Sequence, residues 1–432
     1  MEIDRRKALL GLAVAAMPVW EGVARAQGTA LSFVVRVPVD HDRPAGAALD
    51  LPCEWASAPD PRLRTVLLVA DAQQFYLRPG GAARIAGSLF GGSVNVLSIV
   101  GRSRADALEK IIRPGGSIDW RAAWTCLRAR QWLGDIDAVL AHVGRYGDPR
   151  QLMLYGRSGG AFLIQQALVR RPGIASRIFL QAGVNHELDV RLGHDPDSFW
   201  RDLVLADAGL ARSFRDFLTS NPEERAPAIA LLQRQHFFVE AAALPAARVS
   251  AIRAIMARDR AVLAEMRSAY QLDALEAMRE TAEGVASTVR LAEFALPHRD
   301  PRLHEDRITP DIEQLFNTAA PVLPLIDRPV RAAALSDWNR LARYRGQALI
   351  LAARHDQTCD FRTQQHLARQ IRESRLLLLD DNHVFARMGA SGLLPPLLRA
   401  FAAGSGLNDP AVDAVATQLG ASGLLVPETA AA

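Results

Sequence analysis

The chain has 432 residues, 49% of them hydrophobic and 23% charged, with a formal net charge of +4. So small a charge over this length, with no clustered basic patch, gives no support to nucleic-acid binding, and no nucleic-acid partner is expected. Three cysteines, Cys53, Cys126 and Cys359, lie too far apart for a metal-binding spacing, so neither a metal nor a cofactor is expected.

The first stretch reads as an export signal. Asp4-Arg5-Arg6-Lys7 precedes the apolar run Ala8–Met17, and Ala24-Arg25-Ala26 forms a small-x-small ending before Gln27. The paired arginines resemble a twin-arginine signal. Residues 1–26 are therefore expected to be removed and the mature chain to be periplasmic or secreted. No later apolar run is long enough to span a bilayer, so no membrane span is expected in the mature chain. Export would permit one disulfide, with the pairing left open.

The mature chain opens with a strand at Leu31–Val37 and a turn through Pro38-Val39-Asp40-His41. Alternation from Leu49 to Trp55 predicts an edge strand, on which Pro52 is tolerated. The continuous apolar runs Thr65–Ala70 and Val94–Val100 predict strands buried on both faces. Apolar residues recur at helical spacing through Leu133, Ile136, Val139, Leu140 and Val143.

Leu152–Tyr155 then runs straight into Gly156-Arg157-Ser158-Gly159-Gly160, followed by an apolar segment with helical character as far as Arg171-Pro172. Strand, tight turn and helix around Gly-x-Ser-x-Gly make a nucleophile elbow with Ser158 at its tip. Gly156 and Gly160 let the helix approach the strand. The Gly159 N–H stands at the helix start, where it can stabilise an oxyanion. A further strand is expected at Arg177–Gln181.

Residues 188–345 break the rhythm: their patterns are helical, and they read as an insertion over the sheet. The sheet resumes at Gln347–Ala352 and ends at Arg375–Leu379. The expected organisation is a first core part at 27–187, the helical lid at 188–345, a second core part at 346–403 and a tail at 404–432. Alternating buried strands and helices predict an α/β class with a doubly wound, mostly parallel sheet.

Catalytic groups in such sheets gather at the carboxyl ends of strands. Asp356 follows one late strand and His383 the other, which completes the chain order Ser, acid, His. His383 would take the Ser158 proton, and Asp356 would orient the imidazole. Asp360 is the rival acid. His355 and Asp380 read as solvated loop groups, and the lid aromatics Phe199, Trp200, Phe237 and Phe238 read as core.

The chain resembles the α/β-hydrolase superfamily, and within it the proline iminopeptidase and tripeptidyl-aminopeptidase group. Val37–His41, Val96–Ser103, the Gly156–Gly160 elbow, and the Asp356 and His383 loops carry the resemblance. It implies an α/β-hydrolase fold with a helical lid and a triad of Ser158, Asp356 and His383. Where the family places a His-Gly-Gly-Pro-Gly loop with its second oxyanion N–H, this chain has Ala70-Asp71-Ala72-Gln73-Gln74. The second donor would then be Ala72 or Gln73, or Pro79-Gly80-Gly81 would be a displaced form of the loop. Asp71 would set a negative charge near the oxyanion unless it points away. By resemblance of Val289–Phe294 to a lid segment, Glu293 is a candidate anchor for a substrate's free amino group. The expected activity is cleavage of short peptides from the amino end by an exported serine hydrolase. An esterase or lactonase acting on a small ester is the alternative, and an inactive fold that binds a ligand or partner is a third. The sequence leaves the oligomeric state open.

Overall fold

The computed structural model describes residues 30–71, 78–194, 198–299, 308–326 and 336–427. The export signal at 1–26 and the candidate donors Ala72 and Gln73 lie outside the described residues.

Eight strands form one sheet: β1 (Leu31–Pro38), β2 (Ala48–Trp55), β3 (Thr65–Val69), β4 (Asn95–Ile99), β5 (Leu152–Arg157), β6 (Arg177–Gln181), β7 (Gln347–Ala353) and β8 (Glu373–Leu379). Their spatial order is β1-β2-β4-β3-β5-β6-β7-β8. β2 runs antiparallel to both of its neighbours, and every pairing from β4 to β8 is parallel. With its flanking helices, this is the α/β-hydrolase fold. All residues of β3, β4 and β6 are buried, as the unbroken apolar runs require of central parallel strands.

The expectation of an edge strand at Leu49–Trp55 is corrected, because β2 lies between β1 and β4. Its pairing with β4 begins only at Cys53. The Pro52 carbonyl accepts the Val100 N–H on that side, just beyond the end of β4. The missing proline N–H therefore falls where no strand partner asks for it.

The helices that bear on the site are α1 (Ala129–His142), α2 (Gly159–Arg170), α3 (Phe199–Ser220, kinked at Asp207), α4 (Pro222–Phe238), α5 (Leu244–Met256), α6 (Ala282–Ala295), α7 (Pro310–Ala319), α8 (Phe361–Gln370) and α9 (Pro410–Ala421). Between β6 and β7 the regular elements among the described residues are all helical. They divide between two cores. Phe199, Phe214, Leu232, Ile252 and Tyr270 form a separate lid core from α3 to α5 and the helices that follow. Val285, Val289 and Phe294 of α6 and Ile312 of α7 belong instead to the main core under the sheet. None of the helices among the described residues is long and apolar enough to cross a membrane.

The C-terminal segment is part of the fold. Val412 and Leu419 of α9 are fully buried, and Val426 donates its N–H to Leu378 O at 2.8 Å along the β8 edge. Its alanine- and glycine-rich composition hides the apolar face it presents. The three cysteines are free and buried, so none is in a disulfide.

One buried charge cluster ties the amino-terminal turn to the sheet. Arg102 is fully buried, and its five N–H groups reach Asp135 Oδ2 at 2.5 Å, Asp135 Oδ1 at 2.8 Å, and the carbonyls of Val39, Cys126 and Pro38. His41 Nε2 lies 2.8 Å from Asp135 Oδ1. A Cβ on Gly134 would fall 2.4 Å from the His41 ring, so glycine there makes room for the imidazole. The sequence motifs around His41 and Arg102 thus share one carboxylate on α1. Asp135→Asn leaves the Arg102 charge buried without its counter-charge and is expected to cost about 3–5 kcal/mol. Equilibrium urea unfolding measures this, with a lowered midpoint at unchanged slope as the expected result.

Candidate active site

The site begins with backbone strain at the end of β5. Ser158 has φ 47° and ψ −122°, a conformation that costs a non-glycine residue about 1–3 kcal/mol. Two contacts hold it there. The Ser158 N–H donates to Gln181 O at 2.8 Å, and its carbonyl accepts the Phe162 N–H at 3.1 Å in the first turn of α2. A Cβ on Gly156 would lie 2.7 Å from the Gly160 carbonyl carbon and from the Ile164 side chain, so helix and strand meet at a separation that only glycine permits. The Gly159 N–H is the first of α2 and has no acceptor within the helix.

The acid and the histidine come from the ends of β7 and β8. Asp356 is buried, and its Oδ2 lies 2.9 Å from His383 Nδ1. Its Oδ1 accepts the N–H groups of Thr358 and Cys359, both at 2.9 Å, so the carboxylate is fixed on two sides. Asp360 does something else. It accepts the Arg362 N–H at the start of α8 and binds the Arg362 guanidinium, as a helix cap does. His355 and Asp380 pair with each other at 2.8 Å, about 40% exposed on either side.

Cys359 connects these groups to the elbow. Its thiol donates to Ala182 O at 3.1 Å and lies 3.8 Å from His383 Nδ1. Ala182 directly follows Gln181, the residue that binds the Ser158 N–H, and itself has φ 45°. Burial pushes the Cys359 thiol well above its ordinary range, so it stays neutral beside the histidine. Asp356, Cys359 and His383 offer ligand atoms within 4.8 Å of one another. Asp356 is already committed to His383 and to two backbone N–H groups.

The lid meets the site through α4. The Phe237 ring stands edge-on to the His383 ring, with centroids 5.1 Å apart at 87°. Phe199 and Phe238 are core residues of the lid, as expected, while Phe237 faces the site. His236 Nε2 lies 3.1 Å from Thr358 Oγ1. Burial pushes His236 well below its ordinary range, and the positive charges of His383, Arg248 and Arg234 push it the same way. Nothing in the sequence marked Phe237 or His236 as site residues, because helical spacing alone does not say which face meets the sheet.

The segment after β3 departs from one expectation held for it and meets the other. At Pro79-Gly80-Gly81, the Gly80 and Ala82 N–H groups donate to buried Glu54 at 2.8 and 2.6 Å, and the Gly81 N–H donates to Arg78 O. These donors are occupied, so the segment is not a displaced oxyanion loop. Asp71 does not point away from the elbow. A Cβ on Gly159 would lie 2.3 Å from Asp71 Oδ2, which sets the carboxylate against the Gly159 backbone.

Glu293, the candidate ammonium anchor, is engaged elsewhere. Its carboxylate accepts the Ala129 N–H at the start of α1 at 2.9–3.0 Å and is ion-paired with Arg290. Burial pushes its carboxyl up from the ordinary range and Arg290 opposes the push.

No protein-family model matches the chain, and no curated protein matches it. Among solved structures it is similar to Rv0554 from Mycobacterium tuberculosis, at 12% identity over 87% of this chain and 100% of that one, with a TM-score of 0.39. It is similar to Est816, described as an N-acyl homoserine lactone degrading enzyme, at 15% identity over 81% and 97%, TM-score 0.40. The esterase RhEst1 from Rhodococcus sp. ECU1013 matches at 13% identity over 83% and 96%, TM-score 0.38. Identity this low leaves the chemistry to be read from this chain's own residues.

Buried histidines around the site make stability depend on acid. Burial lowers His186 to about 4 from an ordinary 6.5, and holds His236 and His298 well below that value. All three are neutral when folded and bind protons more readily when unfolded, so their contribution to stability falls as pH drops from 6.5 towards 4. His186 alone is expected to account for about 3 kcal/mol of that loss. The raised carboxyls of Glu187 and Asp189 favour the fold as pH falls over the same range, so the histidine contribution is read by difference: from pH 7 to pH 4 the urea midpoint of wild type should fall relative to that of His186→Phe.

Proposed function

We propose that the chain is a serine hydrolase that forms an acyl-enzyme on Ser158, acting on a small ester or lactone, and that it works after export. One observation carries the reading: a serine held at positive φ at a strand–helix elbow, joined through Gln181, Ala182 and Cys359 to a buried Asp356–His383 couple. A strained serine costs stability, and it is retained where the exposed hydroxyl has a use. His383 would accept the Ser158 proton as the hydroxyl attacks the acyl carbon, and would return it to the leaving alkoxide. Asp356, bound to Nδ1, directs the free Nε2 towards the serine and stabilises the imidazolium. Water, activated by the same histidine, then releases the acid. The Gly159 N–H supplies one oxyanion donor. The second is assigned to the Ala72 N–H by position in the loop after β3.

The ester reading is preferred to aminopeptidase activity because of the lid. An aminopeptidase needs a carboxylate free to take an ammonium group, whereas Glu293 is bound by Arg290 and by the Ala129 N–H. Asp311 Oδ1, on α7, accepts from the Gln233 amide and the Thr358 hydroxyl. The lid ring that meets His383 is Phe237, and the Arg234 guanidinium lies over that ring, while His236 beside it is held neutral by burial. Such a wall suits an acyl group without positive charge.

A fluorophosphonate probe should label the wild-type protein and not Ser158→Ala. Short-chain p-nitrophenyl esters should be cleaved faster than aminoacyl anilides, and Ser158→Ala should lower turnover by on the order of 10⁴-fold. Asp356→Asn should lose most activity. Asp360→Asn should keep it, with the helix cap preserved, because an asparagine oxygen accepts the Arg362 N–H as the carboxylate does. Faster turnover of free-amino substrates, with loss confined to them in Glu293→Gln, would return the aminopeptidase reading. A folded protein that neither labels nor turns over any of these substrates would favour a binding role.

A further inference from the structure

β3 and β5 pair in parallel with Val69 opposite Gly156, so the chain leaving β3 passes beside the elbow. Asp71, two residues on, is 2% exposed and rests against Gly159. Gly159 carries the backbone donor assigned to the oxyanion. A carboxylate so placed would repel the negative charge that develops on the substrate oxygen during attack, and in a buried site the repulsion is poorly screened.

The charge has a counterpart from the lid. Arg290 on α6 is fully buried, and its Nε lies 3.1 Å from both carboxylate oxygens of Asp71. Burial works against the Arg290 charge, but Asp71 and Glu293 outweigh it and hold the guanidinium above its ordinary range. Glu293 in turn accepts the Ala129 N–H, so the arginine is fixed between the loop after β3 and the start of α1. Arg290 also lies over the Phe294 ring, 5.1 Å from its centroid. The guanidinium therefore has one orientation, with its Nε edge on Asp71.

We propose that Arg290 is a positioning residue for the oxyanion site: it cancels the charge of Asp71 and holds that side chain in place against Gly159. This rests on the serine-hydrolase reading and deepens it. Asp71, on the chain leaving β3, is held by an ion pair to the lid. Arg290 acts through Asp71 and does not touch the reacting atoms.

The test uses the full chain, p-nitrophenyl acetate as substrate, a fluorophosphonate as active-site label and thermal unfolding as a check on the fold. Arg290→Met should lower kcat by roughly 10²-fold with KM nearly unchanged, as loss of an oxyanion contact does. Asp71→Asn in the Arg290→Met background should recover at least about tenfold of that loss, because the uncancelled charge is gone. A merely structural role predicts no such recovery in kcat. An unchanged kcat in folded Arg290→Met, or a double variant no faster than the single one, overturns the proposal and leaves the hydrolase reading standing. Should Arg290→Met fail to fold, Arg290→Lys asks the same question. It keeps the charge, and a loss in kcat of under about tenfold supports cancellation. A hundredfold loss with native melting overturns it. A wild-type protein inert to both ester and label overturns the hydrolase reading, and this assignment with it.

Discussion

The structure depends on the contact between β5 and α2. Gly156 and Gly160 bring strand and helix so close that no side chain fits between them, and the chain can turn there only by putting Ser158 at positive φ. That strain is offset by the sheet around it. β5 lies in the middle, with Leu152, Met153 and Leu154 fully buried, and the Ser158 N–H is tied to β6. The main core thus supplies the energy that keeps one serine in a conformation it would not choose. An elbow of this kind on an edge strand would relax.

From that point the site is assembled by adjacency. β6 lies next to β5, β7 next to β6, and β8 next to β7. Ala182, Asp356 and His383 each follow one of those strands, so parallel order delivers them to one end of the sheet. The Asp356 carboxylate is then aligned by the Thr358 and Cys359 N–H groups. Cys359 fills the space between the acid turn and β6 with a neutral thiol, which neither competes for the His383 proton nor adds charge beside it. The rigidity of the couple comes from these local bonds, and its placement comes from the sheet.

The lid serves two purposes in two different cores. Its outer helices pack on themselves, and α4 presents Phe237 to His383. Its inner helices α6 and α7 are part of the main core, and α6 carries Arg290 to Asp71. A buried aspartate against Gly159 would be costly alone, since an unpaired charge in the interior is strongly unfavourable. The ion pair makes it tolerable and joins the insertion to the chain leaving β3. The cluster of Arg102, Asp135 and His41 does similar work at the amino-terminal turn, where one buried carboxylate holds the other two side chains.

Much of this was legible in the sequence. Unbroken apolar runs mark central strands because a parallel sheet is buried on both faces. The Gly-x-Ser-x-Gly turn marks the elbow because close approach leaves no alternative to glycine. Asp356 and His383 stand out because they follow strands in the expected order. What the sequence left open were matters of pairing between distant segments. β2 read as an edge strand because Pro52 is usually found there, and only the register shows that its missing N–H faces beyond the end of β4. Asp356 and Asp360 differ little as letters, and the hydrogen bonds to His383 and Arg362 separate their roles. Glu293 read as a free anchor and Asp71 as an obstacle, because the sequence shows charges without their counter-charges. Arg290 lies 219 residues from Asp71, and no local pattern records that pairing. Local sequence sets conformational preference and periodicity, while the neutralisation of a buried charge is decided by whichever partner the tertiary fold brings within 3–4 Å of it.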